Sequence, residues 1–275
     1  MAPISSVPQE VTELLLPRDG EPKTFGNWRD QTDPQVFIVE GWSEGLIVGA
    51  LLIMAIITVA NMRKGVLLHK LILLELLLAT SHGTFCFMSF DGYGWYLSTT
   101  AAMLYTSYFL HNVIAWMKIR PFFTAPHASF SPNVSRTVRW TYLVSLSITA
   151  PIVVFQIANN FRFFNNISTL YSLVRPYETL MRDPWWVFSC MTLFHVIRKC
   201  YSMNIFLLVQ KTPRFGILLA SIIISLIFTL MDIISSTTSL SSTDGINPYW
   251  KLSLVFKCLT DNIMLDDFKS VLQRL

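Results

Sequence analysis

Signatures of nucleotide, redox and metal chemistry are missing from this chain of 275 residues. It has no HExxH, CxxC, P-loop or GxGxxG, so metalloprotease, thiol-redox and nucleotide-dependent readings have no support, and its one GxSxG match, Gly41-Trp-Ser-Glu-Gly, lies inside an apolar stretch of helical length and not at a strand-to-helix turn. Nor is there a DDxxD or NDxxD cluster to hold a magnesium diphosphate. The nearest segment, Leu265-Asp-Asp-Phe-Lys, follows Asp266 and Asp267 with Lys269 and then Ser270, so the closing acid is missing. The four cysteines, Cys86, Cys190, Cys200 and Cys258, lack metal-ligand spacing and fall in apolar sequence, where thiols pack as small apolar groups. Charge is scarce too. Charged residues make up 14% of the chain, the formal net charge is only +4, and the basic residues are dispersed among apolar stretches, so no nucleic-acid surface is implied. The segment before Val36 carries Pro3, Pro8, Pro17, Pro22 and Pro34 and no signal-type apolar core, and reads as an exposed tail (1-35).

Apolar sequence is what the chain has in quantity, with hydrophobic residues at 52%. Seven stretches stand out: Val36 to Ala60, Val66 to Phe90, Trp95 to Met117, Trp140 to Ala158, Trp185 to Val209, Phe215 to Leu240 and Tyr249 to Leu265. About 20 apolar residues span a bilayer core as helix, and a backbone without water has to satisfy itself by becoming one. The expected fold is therefore all-α, a polytopic bundle of seven transmembrane helices over 36-265 with a short tail, 266-275. Lys and Arg gather after the first, third and fifth stretches, as at Arg63, Lys64, Lys118, Arg136, Arg139 and Lys211, which places the N-terminus in the lumen and the C-terminus in the cytosol. Of the two sequons, at Asn133 and Asn166, only Asn166 is then luminal and open to glycosylation.

Ionisable residues inside the stretches carry the functional argument, because a charge near the bilayer centre costs roughly 2.5 to 3.5 kcal/mol on insertion scales. Glu75 stands among Leu71, Ile72, Leu78 and Ala79 with no cation at i+3 or i+4, so Lys257 or His111 is its candidate partner across the bundle. Asp232, followed by Ser235 and Ser236, lies at a depth comparable to Glu44 and His82. Either these three converge on one cavity or Asp232 is satisfied locally by hydroxyls and backbone. Lys257 and Asp261 are spaced as an i,i+4 pair. Gly41, Gly45 and Gly49 repeat every fourth residue, the pattern of close helix contact. His195, Arg198 and Lys199 share one face; either it meets a hydrated interior or that helix leaves the membrane early. Tyr93, Trp95, Tyr96, Tyr171, Tyr177, Trp185 and Trp186 form either an interfacial belt or the mouth of a pocket.

The stretches Gly41-Trp-Ser-Glu-Gly, Leu110-His-Asn-Val-Ile-Ala-Trp, Arg175-Pro-Tyr-Glu-Thr-Leu and Arg182-Asp-Pro-Trp-Trp, with the ending from Phe256-Lys-Cys-Leu-Thr-Asp to Leu265-Asp-Asp-Phe-Lys, resemble a family of fungal integral membrane proteins. Some of its members are terpene cyclases of meroterpenoid pathways, of the ascochlorin, ascofuranone and macrophorin type. The resemblance implies protonation of a prenyl chain at an epoxide or olefin without cofactor or metal, and burial raises a carboxyl pKa in the direction such a donor needs. Asp232 is the first expected donor and Glu75 the second, with Glu44 or His82 orienting the donor or taking the final proton. Trp95, His111, Tyr177, Trp185, Trp186, Lys257 and Asp261 are the expected substrate contacts. The implied partners are a prenylated small molecule, the lipid bilayer and pathway enzymes at the same membrane, with the endoplasmic reticulum as the site. Two other classes stay open. A seven-helix receptor would use the loop from Lys118 to Arg139, and a transporter would use polar groups on a broken fourth helix with Pro151, Gln156, Asn159 and Asn160. A retinal-type protein would use Lys257, but the third stretch offers no carboxylate as its counterion.

Overall fold

The computed structural model describes residues 33–87, 93–124, 130–200, 209–210, 212–238 and 247–263; both expected tails lie almost wholly outside them. Within them every regular element is helical. Seven long helices are α1 (Pro34–Asn61), α2 (Leu67–His82), α3 (Tyr93–Phe123), α4 (Pro132–Phe164), α5 (Pro184–Cys200), α6 (Pro213–Thr237) and α7 (Tyr249–Ile263). Three of them, α1, α4 and α6, are long and apolar enough to cross a membrane. Starts are set by short-range chemistry. Asp33 caps α1 by accepting from the Gln35 N–H at 2.9 Å, and Pro34, Pro132 and Pro213 stand in the first turns of α1, α4 and α6, where an N–H is dispensable.

The helices follow one another around the bundle. α2 lies between α1 and α3, α4 packs on the far side of α3, and α7 joins α1 to α6; α5 makes its main contact with α3. Two short α-helices, Leu170–Val174 and Glu178–Arg182, are joined by a 3-10 turn at Arg175–Tyr177 and pack against α4 and α6. Two close approaches need glycine. A Cβ on Gly94 would meet the Phe164 carbonyl oxygen at 2.0 Å, and one on Gly83 would meet Val48 at 2.2 Å and Glu44 Oε2 at 3.0 Å.

Polarity is inverted relative to a water-soluble bundle. Ile38, Ile53, Ile56, Leu77, Val154 and Ile217 are exposed, while Glu44, Glu75, His111, Lys251, Lys257 and Asp261 are buried. That much outward apolar surface suits lipid and not water. Many hydroxyls inside the helices are satisfied on their own backbone, as where Thr58 donates to the Met54 carbonyl and Thr149 to that of Ser145.

Several expectations change. The Gly41, Gly45 and Gly49 stripe meets nothing, because α1 turns its Glu40, Ser43, Glu44 and Ile47 face inward, and ion pairing of the glutamates fixes that choice. α4 runs unbroken through Pro151 and begins eight residues before its apolar stretch. His195, Arg198 and Lys199 face outward, and Lys199 lies over the Phe130 ring at 4.5 Å. The described part of α5 ends at Cys200, and the remainder of its expected stretch is outside the described residues.

Candidate functional site

Three groups of buried charges occupy the interior, and α7 contributes to each through Lys251, Lys257 and Asp261. At about 1.5 Å per residue, its first and last of these stand about 15 Å apart along the axis.

Lys251 anchors the first group. Its Nζ lies 2.6 Å from Glu40 Oε2, 2.8 Å from Glu44 Oε1 and 3.0 Å from Ser43 Oγ. One ammonium thus serves two carboxylates. His82 sits close by, its Nδ1 3.4 Å from Thr100 Oγ1 and its ring 6.1 Å from that of Trp250. Sequence reasoning passed over Lys251 because it lies only two residues inside the last stretch. A lysine there, with two glutamates at the start of α1, was the available signal.

The second group ties the segment between α4 and α5 to the bundle. Lys257 donates to Asp183 Oδ1 at 2.7 Å, Arg182 Nε donates to the same oxygen at 3.3 Å, and the Arg182 guanidinium lies 4.1 Å from the centre of the Tyr108 ring. Burial alone would raise the Asp183 pKa, but the Arg182 and Lys257 charges outweigh it and hold the carboxyl at about 2. Asp232 belongs here. Thr179 donates to its Oδ2 at 2.7 Å, Asn247 to its Oδ1 at 2.8 Å, and Ser236 to Oδ1 at 3.5 Å. Both oxygens are occupied by neutral donors, so Asp232 is satisfied by hydroxyls and an amide, and its contacts are not with Glu44 or His82. Thr179, Arg182, Asp183 and Asn247 lay in linkers by their sequence and had no periodicity to betray burial.

The third group centres on His111. Its Nδ1 lies 2.8 Å from Glu75 Oε1, a hydrogen bond, and 2.9 Å from Asp261 Oδ2. Lys118 is hydrogen-bonded to Asp261 Oδ1. Of the two partners expected for Glu75, the structure supplies His111, and the Lys257–Asp261 pair does not form because each residue meets charges on other elements. Glu75 is fully buried, yet its Oε2 has no hydrogen-bond partner; neither has His111 Nε2. Other buried atoms share this state, among them Glu44 Oε2, Ser98 Oγ and Trp186 Nε1, but Glu75 and His111 are hydrogen-bonded to each other, so their open valences belong to one group. Trp186 stands over this group, 4.8 Å from the His111 ring and 5.7 Å from Lys257 Nζ. A cavity of about 30 Å³ beside Lys118, Trp186 and Asp261 has room for one water.

Glu75, His111 and Asp261 bring a nitrogen and two carboxylates within 4.8 Å of one another, the only such metal-capable set among the described residues. Lys118 already occupies Asp261, however, and a bound cation would have to compete with that ammonium. Of the other expected contacts, Trp185 is half-buried, while Trp95 and Tyr177 are 65% and 55% exposed on the outer surface, Trp95 edge-on to Phe161 at 5.6 Å. Cys190 and Cys258 are buried free thiols, and Cys86 is partly buried. No family model, curated protein or solved structure matches the chain.

Proposed function

We propose that the chain is a membrane-bound terpene cyclase that protonates a prenyl chain, epoxidised or not, at the Glu75–His111–Asp261 group and guides the resulting carbocation to a ring. The observation that carries this reading is the pair of open valences. A carboxyl oxygen and an imidazole nitrogen, each without a partner, belong to side chains joined by a 2.8 Å hydrogen bond. A general acid needs an oxygen free to face substrate, and a final base needs a free lone pair. Glu75 is the donor in this account, ahead of Asp232, whose oxygens are both engaged by donors. Asp261 Oδ2 lies 2.9 Å from the same imidazole nitrogen, and Lys118 holds the other oxygen of Asp261. The face of Trp186, 4.8 Å from the His111 ring, shields the cation, a contact contributing roughly 0.5 to 2 kcal/mol.

The resemblance described above supports the substrate class. The lipid-facing exterior supports lateral entry of a greasy substrate, which requires α3 and α5 to part, since the space beside Asp261 holds only a water. In the full proposal the seven helices all span the endoplasmic reticulum membrane, with the N-terminus luminal, the C-terminus cytosolic and Asn166 glycosylated. A second reading, proton-coupled transport, is favoured by the succession of ionisable groups along α7. Expression in a yeast host fed with epoxidised and non-epoxidised prenylated phenols, followed by product mass spectrometry, tests the first against the second. Cyclised isomers of unchanged mass are expected. Substrate that accumulates or disappears without isomerisation favours transport.

A further inference from the structure

A cavity of about 580 Å³ lies far from the His111 group, between the end of α3 and the first turns of α4. Among the described residues Phe123, Thr124, Ser135, Arg136, Arg139, Trp140 and Leu143 line it, and these bring two guanidinium groups and no carboxylate. Lys251, Lys257, Lys118 and Arg182 all have carboxylate partners in the interior. Arg136 and Arg139 are exposed and have none among the described residues. They sit one turn apart on the same side of α4, near its positive end, where the helix dipole also favours an anion. Ser135 Oγ is buried at the same place without a hydrogen-bond partner.

The wall then changes character. Beyond Arg139 come Trp140, Val144 and Ile148, spaced by one turn and 60%, 49% and 45% exposed, along a helix long and apolar enough to cross a membrane. A polar cationic cup thus opens directly onto an apolar stripe. We propose that this cavity binds the phosphate headgroup of an anionic bilayer lipid, with its acyl chains laid along the Trp140, Val144 and Ile148 stripe. Paired guanidinium groups suit phosphate because each can offer two parallel N–H donors to its oxygens. Ser135 supplies a hydroxyl donor beside them. A soluble phosphate would use the cup and gain nothing from the stripe, which is why the geometry favours a lipid.

The full-length protein in nanodiscs of phosphatidylcholine doped with phosphatidic acid provides the test, with retained lipid counted by native mass spectrometry. Wild-type protein is expected to retain phosphatidic acid over phosphatidylcholine. The R136Q/R139Q variant should bind it about thirtyfold more weakly, the effect of removing two cations near a membrane surface. K64Q/K70Q removes two exposed cations elsewhere and should leave retention unchanged. Equal retention by R136Q/R139Q and wild type overturns the site, as does equal retention of the two lipids by wild type. Displacement of phosphatidic acid by inorganic phosphate overturns the assignment to lipid in favour of a free anion. The measurement needs no turnover, so its outcome is independent of the cyclase reading.

Discussion

Asp232 and Glu75 are both carboxylates buried in apolar helices, yet the protein treats them differently. Asp232 accepts from Thr179, Asn247 and Ser236, and its neighbours Arg182, Asp183 and Lys257 complete a closed set of charges. Glu75 has one oxygen on His111 and one with nothing to bond. Burial is common to both; saturation of hydrogen-bonding capacity separates them. A closed polar group fixes structure, because removing one member strands the rest, whereas an open one retains chemistry to offer. Changes around Asp232 should therefore cost stability, and changes at Glu75 should cost turnover.

The largest stability effect is expected at Lys257→Met. It leaves Asp183 with Arg182 as its only cation, so the loss should approach, and not exceed, the about 3 to 5 kcal/mol of breaking one side of a buried pair. Thermal unfolding of the detergent-solubilised protein should show this, and Asp183→Asn added to Lys257→Met should recover part of the loss. Full wild-type stability of Lys257→Met would mean that the segment between α4 and α5 is not tied to the bundle by charge.

Acid comes next. The Asp183 carboxyl is held at about 2 against an ordinary value of 3.8. A depressed acid contributes stability above its unfolded pKa and loses it as pH falls through the folded one. About 2 kcal/mol should therefore disappear between pH 4 and pH 2, and Asp183→Asn should flatten that part of the pH profile. An equally steep loss in Asp183→Asn would assign the acid sensitivity to other groups.

Asn247→Ala removes one of the donors to Asp232 and should cost about 1 kcal/mol, with turnover per folded molecule unchanged. A large fall in turnover at unchanged stability would move Asp232 from the closed class to the open one. The smallest expected effect is none. Under the proposed reaction, microsomes stripped with chelator should keep full turnover, because a cation at Asp261 would have to displace Lys118. Loss restored by a divalent cation would make the Glu75–His111–Asp261 group a metal site.

Sequence patterns revealed the helices well, because seven apolar stretches have few alternatives to helix in lipid. They revealed less of the contacts. His111 could be named as a partner for Glu75 because a lone acid in an apolar helix demands one, and few candidates existed. Lys257 and Asp261 looked like a pair because helical spacing is visible in one dimension, while Asp183 and Lys118 come from elements far away in sequence. The glycine stripe of α1 pointed to the wrong face, since periodicity cannot say which side of a helix will find Lys251. Trp95 and Tyr177 share the composition of a pocket rim and an interfacial belt, and only their exposure separates the two.

Turnover and melting temperature of reconstituted wild type, Glu75→Gln and Asp232→Asn, measured on the same preparations, test the distinction most directly. Glu75→Gln keeps the hydrogen bond to His111 and removes the transferable proton, so turnover should fall about 10² to 10⁴-fold without a change in melting. Asp232→Asn turns an amide nitrogen towards a donor, so it should melt lower, by about 1 to 3 kcal/mol of stability, and retain most of its turnover per folded molecule. An active Glu75→Gln beside a folded but inactive Asp232→Asn would contradict the account.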